Sequence, residues 1–307
     1  MRQRNTTASR SLSTLLAMCV IASAHAQTTQ ESVNAPAAAA VELPEAADIV
    51  AKSATATGAA AMRGHKSLAM TSTLEIQGMG IKGSVKSFLA SPNRSSQVTV
   101  IPGIGEFQTG FDGKTGWMLD PINGPRVLSG TELLQMTREA DFFKDVDPGS
   151  QWEELRTTGS QEFKGFDCWV IAAKRGTEKS TLYFEKDKGF LRGTEMEMES
   201  PMGKIPVVAF IKEYKDFQGV QLPAISMVTQ AGQTVALTIE TAEFDTVPQT
   251  QFELPKVIAA LLLADAAESE EDDAESDSAV PPTPTKPAAP SAPATPVTPA
   301  TPATPKD

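Results

Sequence analysis

Between residues 70 and 244, apolar and polar residues alternate in short runs, each stopped by Gly, Pro, Asp or Lys. Met70, Leu74 and Ile76 set the period of the first run; 81–90 follows Gly78-Met79-Gly80, and Val98 and Val100 mark 95–101. The period recurs on both sides of Phe111-Asp-Gly-Lys-Thr-Gly-Trp117, through Phe107 and Phe111 before the turn and Trp117 and Leu119 after it. Asp112-Gly113 supplies turn chemistry, so this stretch reads as strand, tight turn, strand. Further runs cover 152–163, 166–174, 182–184, 195–199, 207–217, 222–229 and 234–244, with Met196 and Met198 between Glu195, Glu197 and Glu199 giving the cleanest alternation. A period of two puts one face of a strand against apolar material and the other towards water. About eleven such strands with Gly- and Asp-rich turns predict an antiparallel meander. Strands polar on one face argue against a parallel sheet buried on both sides.

Two stretches carry the helical period instead. Ala47, Ile49-Val50, Ala54, Ala60-Ala61 and Met62 predict a helix from Pro44 to near Gly64, weakened by Gly58 and by its threonines. Ser129-Gly-Thr-Glu132 is a capping-box candidate, followed by Leu133, Leu134, Met136 and Phe142-Phe143 at helical spacing, with Asp145-Val-Asp147-Pro148 as the stop. A helix of about fourteen residues inside an all-β run needs a surface to cover, and the open side of a curved sheet is the natural one. Val257 to Ala264 is a short apolar run of helical character.

The ends of the 307-residue chain read differently. Arg2, Arg4 and Arg10, an apolar run from Leu15 to Ala24, and Ala24-His25-Ala26 predict a cleaved secretory signal over 1–26. Leu16-Ala17-Met18-Cys19 matches a lipoprotein cleavage site only in part. Residues 27–43 read as a disordered lead, and 257–307 as a tail, acidic from Glu268 to Asp277 and then rich in Pro, Ala and Thr. The expected folded domain is 44–256. Losing 1–26 takes three arginines and no acidic residue, so the net charge of −11 becomes −14. Nucleic acid and anionic membrane surfaces call for clustered Lys and Arg, and neither is indicated. No run is long enough for a membrane span, so an integral membrane protein is not expected.

Catalytic chemistry has little to work with. Of two cysteines and two histidines, Cys168 and His65 alone lie beyond residue 26. Cys168 falls in a strand and reads as a small core residue, and His65 as a turn residue. Metal clusters, Cys-His dyads and Ser-His-Asp triads would all have to be built on these two. Gly78-Met-Gly-Ile-Lys-Gly83 fits a dinucleotide fingerprint by letters, but its glycines join two strands and open no helix. Asp145 and Asp147 read as a solvated loop, and Glu195, Glu197 and Glu199 as a solvent face. The expectation is a non-enzyme without cofactor or metal. Nine of the eleven methionines lie beyond residue 26, Met70, Met118, Met136, Met196, Met198 and Met227 among them. Flexible thioethers suit either an ordinary core or a cavity for irregular apolar ligands.

Asp112-Gly-Lys-Thr-Gly-Trp117-Met-Leu-Asp-Pro121 resembles the hairpin of the periplasmic outer-membrane lipoprotein-sorting carriers, the LolA/LolB-like superfamily. Ser91-Pro92-Asn93-Arg94, Glu162-Phe-Lys-Gly165, Tyr183-Phe-Glu-Lys-Asp-Lys-Gly189, Asp216-Phe-Gln-Gly-Val-Gln-Leu-Pro223 and Phe252-Glu-Leu-Pro255 continue the likeness in order over 44–256. It implies a mainly β (α+β) fold: an unclosed antiparallel half-barrel with helices covering its open side. It also implies a cavity that takes acyl chains. In the carriers an arginine beside Pro-Asn latches the helical lid; here Arg94 follows that pair. The implied function is an exported binding or carrier protein for a lipid or acylated protein, periplasmic or alternatively secreted, with envelope proteins as further partners. Expected ligand contacts are Phe107, Phe111, Trp117, Leu119, Met196 and Met198, with Leu133, Leu134 and Met136 on the lid helix. On this reading Trp117→Asp abolishes fatty-acid binding. The alternative is a non-catalytic protein-binding sensor or structural module on the same fold.

Overall fold

A computed structural model describes residues 43–200 and 203–264. The expectations for 1–26, for most of the lead and for the acidic, Pro-rich tail fall outside those residues. The chain enters through α1 (Ala46–Ala56) and α2 (Ala59–Met62) and then forms β1 (Ser67–Ile76), β2 (Ile81–Ala90), β3 (Arg94–Ile101), β4 (Gly105–Phe111), β5 (Gly116–Asp120) and β6 (Gly124–Val127). Helix α3 (Gly130–Glu139) follows. The second series is β7 (Glu154–Phe163), β8 (Phe166–Arg175), β9 (Glu178–Glu185), β10 (Leu191–Ser200), β11 (Gly203–Phe217), β12 (Val220–Gln230) and β13 (Gln233–Phe244). A 3-10 turn, Gln249–Phe252, and a helical stretch over 256–264 end the described chain.

All thirteen strands form one antiparallel sheet in the order β6-β5-β4-β3-β2-β1-β13-β12-β11-β10-β9-β8-β7. Every neighbour is a hairpin except β1 and β13, which meet in the middle. The sheet starts at its centre, runs out to the edge β6, passes through α3 to the opposite edge β7 and returns. The edges β6 and β7 do not pair, so the half-barrel stays open. Two strands more than about eleven are present. The short β6, Gly-Pro-Arg-Val, has no apolar alternation to announce it.

Residues paired across neighbouring strands share a face. In β1, Leu68, Met70, Leu74 and Ile76 stand opposite Leu89, Ser87, Gly83 and Ile81 of β2. On the other side they stand opposite Phe244, Ala242, Leu237 and Val235 of β13. Glu240 is an extra residue in β13, where the register shifts, and this keeps both apolar stretches of that strand on one face. The helices lie on this face, called inner below. Met62 and Ala59 of α2, with Phe142 and Val146 beyond α3, join Leu68, Leu89, Leu222 and Phe244 in one cluster. Ala46 and Ile49 of α1 join Ile171, Ala173, Leu182 and Phe184 in a second. Burying each such Leu or Phe is worth about 1.5–3 kcal/mol.

The expected single helix over 44–64 is two, broken at Gly58. Its φ is +76°, and a Cβ there would stand 2.2 Å from the carbonyl oxygen of Gly219. Only glycine allows both the left-handed turn and that close approach. Gly58→Ala is expected to lose about 3 kcal/mol, read as a lower urea midpoint at unchanged slope.

Helix α3 is ten residues long, shorter than the expected fourteen. Phe142 and Phe143 leave it and turn into the core. The capping box does not form: Ser129 makes no side-chain cap bond. Glu132 instead takes both Nη1 of Arg126 at 2.6 Å and Nη2 at 2.9 Å, because β6 brings that guanidinium alongside.

Candidate functional site

The Phe111–Trp117 hairpin is built around two glycines. The Asp112 carboxylate accepts the backbone N–H of Lys114 at 2.8 Å and of Thr115 at 2.6 Å, which fixes the turn. Gly110 pairs with Trp117, and Gly116 with Phe111. A Cβ on Gly110 would meet the Trp117 ring at 2.5 Å, and one on Gly116 would meet Leu133 Cδ1 at 2.9 Å. One glycine therefore lets the indole lie flat on the sheet, and the other lets α3 settle on the opposite face.

Register divides the expected ligand residues. Phe107 and Phe111 pair through Thr99 and Ser95 of β3 with Val85 and Leu89 of β2, which places both on the inner face. Met196 and Met198 stand opposite Val207 and Ile205, also on the inner face. Trp117 and Leu119 stand opposite Gly110 and Gln108, on the outer face. Their two-residue period is real, but the turn leaves it on the other side of the sheet from that of Phe107 and Phe111. Trp117 is buried there. Leu119 lines a cleft of about 290 Å³ together with Val257 of the last helical stretch.

Of the lid residues, Leu133 lies over Gly116, and Met136 Sδ is 4.0 Å from Ser95 Oγ, so both face inward. Leu134 is exposed. No residue of α3 is buried, so the helix rests on the sheet and is not embedded in it. Its first turn is held to β6 by Arg126–Glu132, and its last by Arg138–Glu178 at 2.8 Å to the start of β9. Arg94 lies 5.2 Å over the Phe252 ring.

The inner face has two parts. Near α1, α2 and the loop after α3 it is buried. Away from them its side chains stay apolar but partly accessible: Leu74 and Ile76, Ile81, Ile101, Phe107. The same holds across the middle of the sheet for Ile205, Val207, Ala209, Val235 and Leu237, while Met198 and Val228 are 39% and 37% exposed. The outer face of the same strands carries Thr73, Glu75, Lys82, Ser84, Glu195 and Lys204 together with Val208, Phe210 and Met227. These accessible apolar side chains, on one face and beside a helix with no buried residue, make the candidate site. Its central residues on β11 and β13 were visible in sequence as alternation; only pairing tells which face they share.

Burial pushes the Cys168 thiol up to about 11, with Glu185 adding to it. Burial, with the bond from Tyr183 Oη to Glu195 at 2.8 Å, pushes that phenol up to about 12. Glu197 pairs with Lys204 at 2.8 Å, in keeping with a solvent face. His65 stacks on Phe244 and bonds Asp245 at 2.8 Å, which holds that carboxyl below its usual range. Of the fingerprint-like glycines, Gly78 and Gly80 form the β1–β2 turn and Gly83 lies within β2 opposite Leu74. Among the described residues no three His, Cys, Asp or Glu side chains come together as a metal site, and no helix is long and apolar enough to cross a membrane.

No family model matches the chain, and no curated protein does. Solved structures do. The chain is similar to LolA-superfamily structures. One, from Nitrosomonas europaea, is 13% identical with a TM-score of 0.46, over 69% of this chain and 99% of that one. A DUF1329 family protein from Desulfovibrio piger is 11% identical with a TM-score of 0.48, over 68% and 97%. An outer membrane lipoprotein-sorting protein domain from Vibrio parahaemolyticus is 13% identical with a TM-score of 0.43, over 66% and 97%. At such identities the likeness concerns the course of the backbone and says nothing of a ligand.

Proposed function

We propose that the protein is an exported, non-catalytic carrier that binds a lipid or the acyl chain of a lipoprotein on the inner face of its half-barrel. The observation that carries this is the accessible apolar floor of β1, β2 and β10–β13, whose reverse side mixes Thr, Glu and Lys with Val208, Phe210 and Met227. Flexible Met196 and Met198 at its margin suit a ligand of variable shape. Phe107 and Phe111 belong to the same face, and α3 lies over it as a lid. Trp117 and Leu119 take no part in the contact.

The test is binding of a fluorescent fatty acid, with native mass spectrometry of the same sample for stoichiometry. Val235→Asp puts a carboxylate on the floor and is expected to weaken binding at least about tenfold, since an unpaired charge is costly beside an acyl chain. Thr238→Asp, on the outer face of the same strand, is expected to bind like the unaltered chain. Equal binding by Val235→Asp, or no uptake by the unaltered chain, rejects the reading.

A further inference from the structure

The two ends of the half-barrel differ in their turns. At one end three hairpins turn through Asp112–Thr115, Lys164-Gly165 and Lys186–Phe190, which carry Asp112, Lys114, Lys164, Lys186, Asp187 and Lys188, and two more turn through the uncharged Ser91-Pro-Asn93 and Gln218-Gly219. At the other end the turns among the described residues are Gln77-Gly-Met-Gly80, Pro102-Gly-Ile104, Pro121-Ile-Asn123, Gly176-Thr177 and Ala231-Gly232, without a single charge. Met79 is 60% exposed and Ile122 53%, the most exposed large apolar side chains in turns between strands among the described residues.

Their exposure is built in. Gly78 and Gly80 have φ of +79° and +67°, a tight reversal that lifts Met79 clear of the sheet. The buried Asp120 carboxylate accepts the backbone N–H of Ile122 at 2.8 Å and of Asn123 at 3.2 Å, and Asn123 Nδ2 at 2.7 Å. A carboxylate spent on holding this turn fixes Ile122 pointing outward. The turns β5–β6, β3–β4 and β1–β2 follow one another along the sheet at two-strand steps, about 10 Å apart. The accessible inner residues Ile76, Ile81, Ile101 and Val235 lie at the strand ends that meet this same rim.

We propose that this rim, through Met79 and Ile122 with Ile104 between them, docks onto the surface of a net-neutral phospholipid bilayer. Charge selects the partner. An anionic surface is recognised by clustered Lys and Arg, and these turns have none. Apolar tips set in uncharged turns enter the headgroup boundary at little desolvation cost. Near the first two tips Lys82 pairs with Glu75 on the outer face and Glu106 is outer as well, and near the third Asp120 is engaged within its own turn. Docking in this orientation brings the floor to the lipid without a passage through water. The inference deepens the carrier reading and rests on it for its purpose, though its test is separate.

The test is flotation of the full chain with phosphatidylcholine vesicles, beside binding of a water-soluble fluorescent fatty acid. The unaltered chain is expected to float with the vesicles. Met79→Asp with Ile122→Asp is expected to float about tenfold less, and Met79→Ser with Ile122→Ser to fall between. Lys188→Asp at the opposite end should float like the unaltered chain, and all variants should bind the soluble fatty acid equally. An unaltered chain that stays in the aqueous fraction overturns the proposal and leaves these tips to a protein partner. Undiminished flotation of the double Asp variant overturns it too. Flotation that depends on the tips, with no fatty-acid binding by any form, supports docking and removes the carrier reading alone.

Discussion

Arg192→Met is expected to lower the stability of the protein by about 3–5 kcal/mol, the range for removing one partner of a buried ion pair. The Arg192 and Glu185 side chains are 5% and 10% exposed, with Nε and Nη2 of the arginine 2.8 and 2.5 Å from Glu185 Oε2. Arg192 is the residue at which β10 shifts register against β9, and β11 shifts register at Lys212. Nη1 of Arg192 points to the carbonyl oxygens of Ile211 and Lys212, both at 3.4 Å, so the guanidinium satisfies backbone that the irregular ladder leaves over. Its plane also lies 4.0 Å from the Phe166 ring centroid. Methionine fills similar volume but leaves the Glu185 carboxylate buried and alone. Glu185→Leu with Arg192→Met removes both charges and is expected to recover most of the loss, by urea unfolding of the two singles and the double. A double variant as unstable as Arg192→Met would place the contribution in the carbonyl and ring contacts, not in charge compensation.

That arginine shows where sequence reading stops. Strand positions, turn chemistry and the helical segments were legible because they depend on local period and on Gly, Pro and Asp. Bulges were not: Glu240 looks like an ordinary member of an alternating run and Arg192 like a residue before one, and each shifts its strand by one residue. Glycines that serve contacts were half legible. Gly58 read as a weak point in a helix, yet its role depends on Gly219, far along the chain. The capping box at Ser129 failed for the same reason, since Arg126 competes for Glu132 from a strand that sequence did not announce. The candidate site follows the pattern. Each strand's apolar set could be read, but a hairpin can keep or reverse the face, and only pairing decides.

Trp117 is where that ambiguity has the largest measurable consequence. Trp117→Ala is expected to cost about 3–5 kcal/mol of stability, the range for removing a buried aromatic side chain. The ring is 4% exposed and lies across Gly110, whose missing Cβ makes the room it occupies. On this outer face the chain after β13 returns: Gln251 Nε2 bonds Ser96 Oγ at 3.2 Å, and Arg94 covers Phe252. Phe107→Ala is the counterpart, on the inner face and half-exposed. It is expected to change stability by no more than about 1 kcal/mol and to weaken fatty-acid binding. Urea midpoints and binding isotherms of the two variants separate the roles. Folded Trp117→Ala protein that has lost its ligand at undiminished stability would return the indole to the binding surface. The predicted outcome, lower stability with binding intact in the folded fraction, makes the hairpin's tryptophan a support of the sheet and Phe107, rather than the equally buried Phe111, the contact with ligand.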